Sequence, residues 1–356
     1  MSFEGREQYN PDAELEQALA VYRDSPYLAM KAKQAERGEG FTVGFTDIDN
    51  TFHRKDRQQE SEVLFAKAEE LEYPLVAVTG NDLAGIQKRQ AAGELPKFPV
   101  LIGSVGTEIH VLQPDGTYRR DEAYRKMLLE EKHFNRPEIA AAASAFLVSQ
   151  PAQAAEVVYQ KPEAERRYLA NPEPEAVNQA VQEFKLSFYF FADAPAGVEG
   201  VMQEAATAFP GQELVACEEI GYNREHEGEP RKKYCLDVLP ITKAGAVDYV
   251  AKLTNVEKGL VAGDSGNDTD MLMRSGKLQA VVVGGAKSEL VSAVDASAPE
   301  KPGKSSFRRV MGEDGALKAI YVEKGDRLGP ESISYAAEVL QRAERIQKIR
   351  TDRTET

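Results

Sequence analysis

Two short apolar runs that break abruptly into acids constrain the fold of this chain more than any other feature. FTVGFTDID (41–49) is β-branched and aromatic until it reaches Asp47 and Asp49, and GLVAGD (259–264) is almost wholly apolar until Asp264. A strand without polar alternation is buried on both faces, and such strands belong to parallel sheets covered by helices on either side. PLVAVTG (74–80), PVLIGSVG (99–106), LQAVVVGG (278–285) and AIYVEKG (319–325) read as further strands of this kind. Helical segments stand between them at about 59–71, 83–91, 243–253 and 288–294, and a last helix covers 332–349. Strands and helices in alternation specify a doubly wound, parallel-sheet α/β core of Rossmann-like form.

The pattern is interrupted between 113 and 234. There the chain is richer in Pro, Glu and Ala, with helices around 137–147, 176–184 and 198–209 and strands LSFYFFAD (186–193) and ELVACEEI (213–220). This is the texture of a small α+β domain, and it is inserted because CLDVLP (235–240) reads as the strand that resumes the core. The expected organisation is a helical extension over 1–40, core over 41–112, inserted cap over 113–234, core again over 235–349 and a tail over 350–356. Leu15, Leu19, Tyr22 and Leu28 form the apolar stripe of the extension, and the charged stretch EHEGEPRKK (225–233) reads as an exposed loop.

Charge and cysteine content remove several classes of function. With 44 Lys+Arg against 58 Asp+Glu in 356 residues, the net charge of −14 argues against a nucleic-acid groove or an anionic membrane surface as the main partner. A small anion in one local positive pocket remains compatible. Cys217 and Cys235 are the two cysteines, too few for a disulfide framework or a cysteine-based zinc site. His53, His110, His133 and His226 have no ligand spacing. A charged N-terminus (MSFEGREQYN) and the lack of any run near the about 18 apolar residues of a membrane span lead us to expect a cytoplasmic protein. No motif sets an oligomeric state.

Ligands of open α/β sheets sit beyond the carboxyl ends of the strands. The expected strand ends carry Asp47, Asp49 and Thr51, then Thr79, then Lys243, then Asp264 and Asp268, all converging on one rim. Three carboxylates in one pocket need a cation, and oxygen ligands without Cys or His select a hard ion such as Mg²⁺. Thr79 and Lys243 offer hydroxyl and ammonium donors suited to phosphate. A carboxylate that keeps one oxygen free can attack phosphorus, and a second carboxyl two residues on can protonate the leaving oxygen. The set reads as phosphoryl transfer.

Asp47-Ile48-Asp49-Asn50-Thr51, Thr79-Gly80, Lys243 and Gly263-Asp264-Ser265-Gly266-Asn267-Asp268 resemble, in order, the four motifs of the haloacid-dehalogenase-like (HAD) phosphatase superfamily. The insertion between the second and third resembles the α/β cap of subclass IIB, the group of sucrose-, trehalose- and mannosylglycerate-phosphate phosphatases. FTDIDNTF, LIGSVGTEIHV, FKLSFYF, CLDVLP with Lys243, and AGDSGNDTDML are most similar to the sucrose-phosphatase-like members, over about 41–342.

The resemblance implies roles. Asp47 is the nucleophile and a Mg²⁺ ligand, and Asp49 is the acid and then the base, with a backbone carbonyl on the metal. Thr79 and Lys243 bind the phosphoryl oxygens, supported by Asn50, Thr51 and Gly80. Asp264 ligates Mg²⁺, and Asn267 and Asp268 hold it through water or position Lys243. The implied substrate is a small sugar phosphate such as sucrose 6-phosphate, with glucosylglycerol-, mannosylglycerate- and trehalose-type phosphates open beside it. A sugar phosphomutase and a non-catalytic sugar-phosphate-binding domain share parts of the same pattern. Asn81-Asp82 departs from the family, since many relatives carry Arg after Thr-Gly. Asn81 and the cap residue Lys185 are the expected sugar contacts.

Overall fold

The computed structural model describes residues 11–149, 155–159, 182–192, 196–218, 224–226, 229–274, 278–298, 307–311, 317–323 and 327–338. Its strands are β1 (Thr42–Thr46), β2 (Leu75–Val78), β3 (Val100–Gly103), β4 (Glu108–Leu112), β5 (Tyr118–Arg120), β6 (Ala155–Tyr159), β7 (Leu186–Ala192), β8 (Glu213–Glu218), β9 (Arg224–His226), β10 (Glu229–Leu239), β11 (Lys258–Gly263), β12 (Gln279–Val282), β13 (Phe307–Met311) and β14 (Leu317–Val322).

A nine-stranded sheet runs β13-β14-β12-β11-β1-β2-β3-β4-β5. From β14 through β3 its strands are parallel. Every residue of β2 and β3 is buried, which is what their unbroken apolar sequence requires of strands covered on both faces. The outer strands β13, β4 and β5 are antiparallel, so the sheet is mixed at both flanks. The order reverses at β1, whose neighbours β2 and β11 lead to opposite edges, and this is the switch point at which an open sheet leaves a crevice.

A second, antiparallel sheet runs β6-β7-β10-β8, with β9 paired to β10. Strand β7 alternates as a half-covered strand should. Leu186, Phe188, Phe190 and Ala192 are fully buried, and Phe188 packs on Phe146 and Phe209 at ring distances of 5.5 and 6.0 Å. Phe146 lies on the helix Arg136–Ser149, and Phe209 follows the helix Ala196–Ala208.

Three expectations need correction. The chain stays on the large sheet through β4 and β5, because after the tight turn at Ser104–Gly106 it folds back antiparallel on β3. CLDVLP (235–240) does not rejoin the parallel sheet. It is the end of β10, a long strand of the second sheet, and short apolar runs read alike in either setting. The stretch 225–233 is not a loop throughout, since β9 and the start of β10 pair there as a hairpin. The expected helix over 176–184 lies mostly outside the described residues, as does the last helix beyond 338.

The N-terminal helices are packed into the core. Leu15 is 49% exposed and does not belong to the stripe. Tyr22 and Tyr27 are fully buried, and Tyr27 meets Phe41 edge-on at 5.2 Å. Ser25 caps the helix Pro26–Glu36 by accepting from Leu28 N, with Pro26 at its first position. Buried Gln34 ties this helix to the start of β1. Its Nε2 donates to Thr42 O (3.2 Å) and Glu72 O (2.7 Å), and its Oε1 accepts from Thr42 N (2.8 Å). Gln34→Ala therefore strands buried backbone groups and is expected to cost about 2–4 kcal/mol, measured by urea unfolding. A cost below about 0.5 kcal/mol would mean these bonds are replaced by water.

Candidate active site

Each reactive side chain is placed by a strand end and a tight loop. Thr46 of β1 is level with Ala262 of β11, and Asp47 N donates to Ala262 O at 2.9 Å. Asp47 and Asp264, the residues that follow the two strands, are therefore neighbours across the switch point. The loop after Asp47 folds back on itself through Phe52 N to Asp47 O (3.1 Å) and His53 N to Ile48 O (2.7 Å), and Asn50 takes a left-handed φ of 61°. Ile48 and Phe52 are buried within the core and anchor this loop. Thr51 Oγ1 donates to Asp264 Oδ1 at 3.2 Å.

Asp268 closes the second loop. Its Oδ2 accepts from the backbone N–H of Asp264 (3.0 Å) and Ser265 (3.1 Å). A Cβ at Gly263 would stand 2.5 Å from the Asp268 side chain, so only glycine lets this carboxylate in. The other oxygen, Oδ1, accepts from Lys243 Nζ at 2.7 Å, and Asp47 Oδ1 accepts from the same ammonium at 2.7 Å. Asn267 Oδ1 lies 3.4 Å from it. Lys243 is 0% exposed and heads the helix Lys243–Leu253.

Lys243 reaches this position from β10 of the second sheet, and Gly106 fixes the crossing. Gly106 has φ +101°, and a Cβ there would lie 2.6 Å from Thr242 O and 2.9 Å from Lys243 N. The preceding Ser104 and Val105 also have positive φ, which is rare outside glycine and costly for a β-branched residue. The strained turn packs directly on the backbone of Thr242 and Lys243.

The electrostatics follow from three carboxylates around one ammonium. Burial alone would lower the Lys243 pKa, but Asp268 and Asp47 outweigh it and hold the ammonium charged. Burial raises Asp47 well above the usual carboxylate range, with Asp268 and Asp264 adding to the rise and Lys243 opposing it. Asp264 is pushed up to about 7 by burial and then by Asp268. Negative charge is in excess. Asp47, Asp264 and Asp268 bring carboxylate oxygens within 4.8 Å of one another, so the donor set fits a hard divalent cation.

Of the expected residues, Asp47, Thr51, Lys243, Asp264, Asn267 and Asp268 are joined directly. Thr79 follows β2 one strand away, and Asn81 N and Nδ2 each lie 3.2 Å from its Oγ1. Gly80 stands between Thr79 and Asn81, partly exposed. The Asp49 side chain is 54% exposed, with Oδ1 on Arg89 Nη1 (2.8 Å) and Oδ2 on Asn81 Nδ2 (3.0 Å). Lys185 is buried just before β7, 3.6 Å from Asp237, whose Oδ1 also accepts from Ser187 Oγ. Sequence reasoning missed Arg89, which carries no motif, and Lys287, whose Nζ donates to Glu218 O at 2.6 Å and links the core to β8. It also passed over buried His53, whose imidazole is held below its usual pKa by burial and then by Arg89. A cavity of about 490 Å³ lies at the opposite end of the sheet, lined by Thr42, Leu75 and Lys258, away from these groups.

A mixed α/β sheet with acids at its switch point, a buried lysine gripping two of them and a second antiparallel sheet feeding that lysine define a HAD-class phosphatase. The chain belongs to the sucrose-6F-phosphate phosphohydrolase family (S6PP), whose profile matches residues 42–168 and 175–309. Its fold is shared with the sucrose-phosphatase of Synechocystis sp. PCC6803, solved in complex with sucrose and phosphate. The TM-score is 0.55 at 19% identity, covering 85% of this chain and 98% of that one. YhjK of Bacillus subtilis, a haloacid dehalogenase-like hydrolase, matches with TM-score 0.47 at 16% identity, over 85% of this chain and 92% of its own. The HAD subclass IIB sugar phosphatase BT4131 matches with TM-score 0.43 at 16% identity, over 71% and 91%. No curated protein matches the sequence.

The raised acids set a pH dependence. A carboxyl whose folded pKa exceeds its unfolded value gives stability that is complete at low pH and lost as pH rises through the folded pKa. For Asp264 the loss runs from about pH 4 through about 7. Metal-free protein is expected to lose melting temperature across that window, and Asp264→Asn to flatten the slope, in a thermal scan against pH. An equal slope in both proteins would contradict the charge excess at this residue.

Proposed function

We propose that this phosphatase is a Mg²⁺-dependent phosphomonoesterase acting on a sugar phosphate, with sucrose 6-phosphate as the first candidate, through a phosphoryl-enzyme at Asp47. The observation that carries the reading is the buried ammonium of Lys243 bonded to both Asp47 and Asp268 beside Asp264. Such an ammonium has no role in an empty apolar core, and it suits a group that arrives with negative charge. Family membership and the sugar-bound relative support the substrate class.

The chain's own residues would work as follows. Asp47 and Asp264 would hold Mg²⁺ together with the Asp49 carbonyl, and the ion would supply charge neutralisation for the phosphoryl oxygens. Lys243 and Thr79 hold those oxygens and orient phosphorus toward the free oxygen of Asp47, which attacks it. Asp49 leaves Arg89, gives a proton to the departing sugar oxygen, and then takes one from the water that cleaves the acyl phosphate. Asp268 keeps Lys243 aimed while Thr51 steadies Asp264. The second sheet would be the cap, and the charged pair Lys185–Asp237, on its face opposite the buried aromatic one, supports a polar contact to the sugar there. The scarcity of cysteine, with Cys217 and Cys235 alone in the sequence, supports a reducing, cytoplasmic setting. Among the described residues no helix is long and apolar enough to cross a membrane.

Phosphate release from sucrose 6-phosphate, trehalose 6-phosphate and glucosylglycerol phosphate, with and without Mg²⁺, tests the reading. Mg²⁺-dependent turnover with a preference for one member is expected, and Asp47→Asn should lower it at least about a thousandfold. A variant retaining more than about a tenth of the activity would remove Asp47 as nucleophile.

A further inference from the structure

Asp49 fixes where the substrate's leaving group must lie. If it protonates the departing oxygen, that oxygen comes within hydrogen-bond reach of its carboxylate, and the first carbons of the sugar lie beside whatever surrounds Asp49. Those surroundings belong to the core, and they are polar. Arg89 Nη1 and Asn81 Nδ2 hold the two carboxylate oxygens, and Arg89 Nε reaches Glu94 Oε2 at 3.3 Å. Asp82 caps the helix Leu83–Ala91 through Gly85 N (2.8 Å), which sets the direction in which Arg89 leaves that helix two turns on. His53, brought back against Asp49 by a backbone bridge, is buried and its Nδ1 has no hydrogen-bond partner.

These observations meet at one place. A guanidinium carries five donors in a fixed fork, and its bonds to Asp49 and Glu94 leave further donors over. An orphaned imidazole nitrogen in a buried setting is costly unless something satisfies it. Asp49 and Glu94 already neutralise Arg89, so a second anion would be repelled here, whereas hydroxyls can both accept from Arg89 and Asn81 and pair with His53. We propose that Arg89, His53 and Asn81 form a sugar-hydroxyl subsite on the core, in which Arg89 exchanges Asp49 for substrate hydroxyls and so frees the Asp49 carboxyl to face the leaving oxygen. The inference rests on the sugar-phosphatase reading above and extends it to the residues that recognise the sugar. It makes Arg89 a specificity-determining residue delivered from the helix that follows Asn81-Asp82.

Two variants and two substrates test it. Arg89→Gln removes the charge. Arg89→Lys keeps a cation for Asp49 and Glu94 while removing the fork, so it preserves the ion pairs if the first variant folds poorly by circular dichroism. KM and kcat are measured with sucrose 6-phosphate and with p-nitrophenyl phosphate, which has no hydroxyls to bind. Loss of a charged hydrogen bond to the sugar should lower the ratio of the two kcat/KM values by about ten- to a hundredfold, mainly through KM for the sugar phosphate. A ratio unchanged within about twofold in Arg89→Lys, with both substrates slowed alike, would overturn the subsite and leave Arg89 as a support for Asp49 alone. If the unaltered enzyme releases no Mg²⁺-dependent phosphate from sucrose 6-phosphate or its relatives but does so from p-nitrophenyl phosphate, the sugar reading fails and the subsite falls with it.

Discussion

One ammonium buried among three carboxylates governs this molecule. Lys243 has no contact with solvent, and its bonds to Asp47 and Asp268 use one carboxylate that faces the crevice and one that faces the protein. A lysine in such a place would lose its proton without partners, and two acids in such a place would take one up. Here Asp268 and Asp47 outweigh burial and keep the ammonium charged, and Lys243 opposes the rise that burial gives Asp47, with Asp264 left over as the excess that calls for a cation. Removing any member leaves an uncompensated buried charge, which is why so much nearby backbone is committed to keeping them in place.

That commitment is visible at two glycines. Gly263 lets the Asp268 carboxylate fold back onto the backbone N–H groups of its own loop, and Gly106 lets the turn after β3 press against the backbone of Thr242 and Lys243. Tyr124 OH donates to Gly106 O at 2.5 Å, tying the turn to the helix Glu122–Glu130 that leads out of the large sheet. The second sheet therefore does more than cover the crevice. Its strand β10 delivers the lysine, and Lys287 of the core grips the end of β8, so the placement of the cap and the placement of the phosphate-binding charge are set by the same backbone. Cap geometry and chemistry are mechanically linked in this chain.

The central strands and the acids at their ends were legible because both signals are local. An unbroken apolar run that stops in Asp reads the same wherever it is met, and β1, β2, β11 and β12 lie where the sequence puts them. What escaped was non-local. CLDVLP is apolar enough for either sheet, and only its antiparallel partners β7 and β8 decide the matter. The antiparallel flanks β4, β5 and β13 are short and partly polar, with no periodicity long enough to register. The motif that implies a role for Asp49 carries no information on the partners its side chain meets, and Arg89 lies forty residues away. The partner of Lys185, Asp237, lies on another strand and leaves no trace in the sequence beside it. Gln34 gave no sign of the backbone groups it satisfies.

The central claim is that phosphoryl transfer passes through the oxygen of Asp47 that Lys243 leaves free. Rapid acid quenching of the enzyme during turnover of sucrose 6-phosphate, followed by mass spectrometry of its peptides, tests it most directly. The account predicts one added phosphoryl group, confined to the peptide that contains Asp47 and accumulating in Asp49→Asn supplied with p-nitrophenyl phosphate, whose leaving oxygen needs no proton from Asp49. A phosphoryl group on any other residue, or turnover with no phosphorylated peptide in either protein, would contradict it.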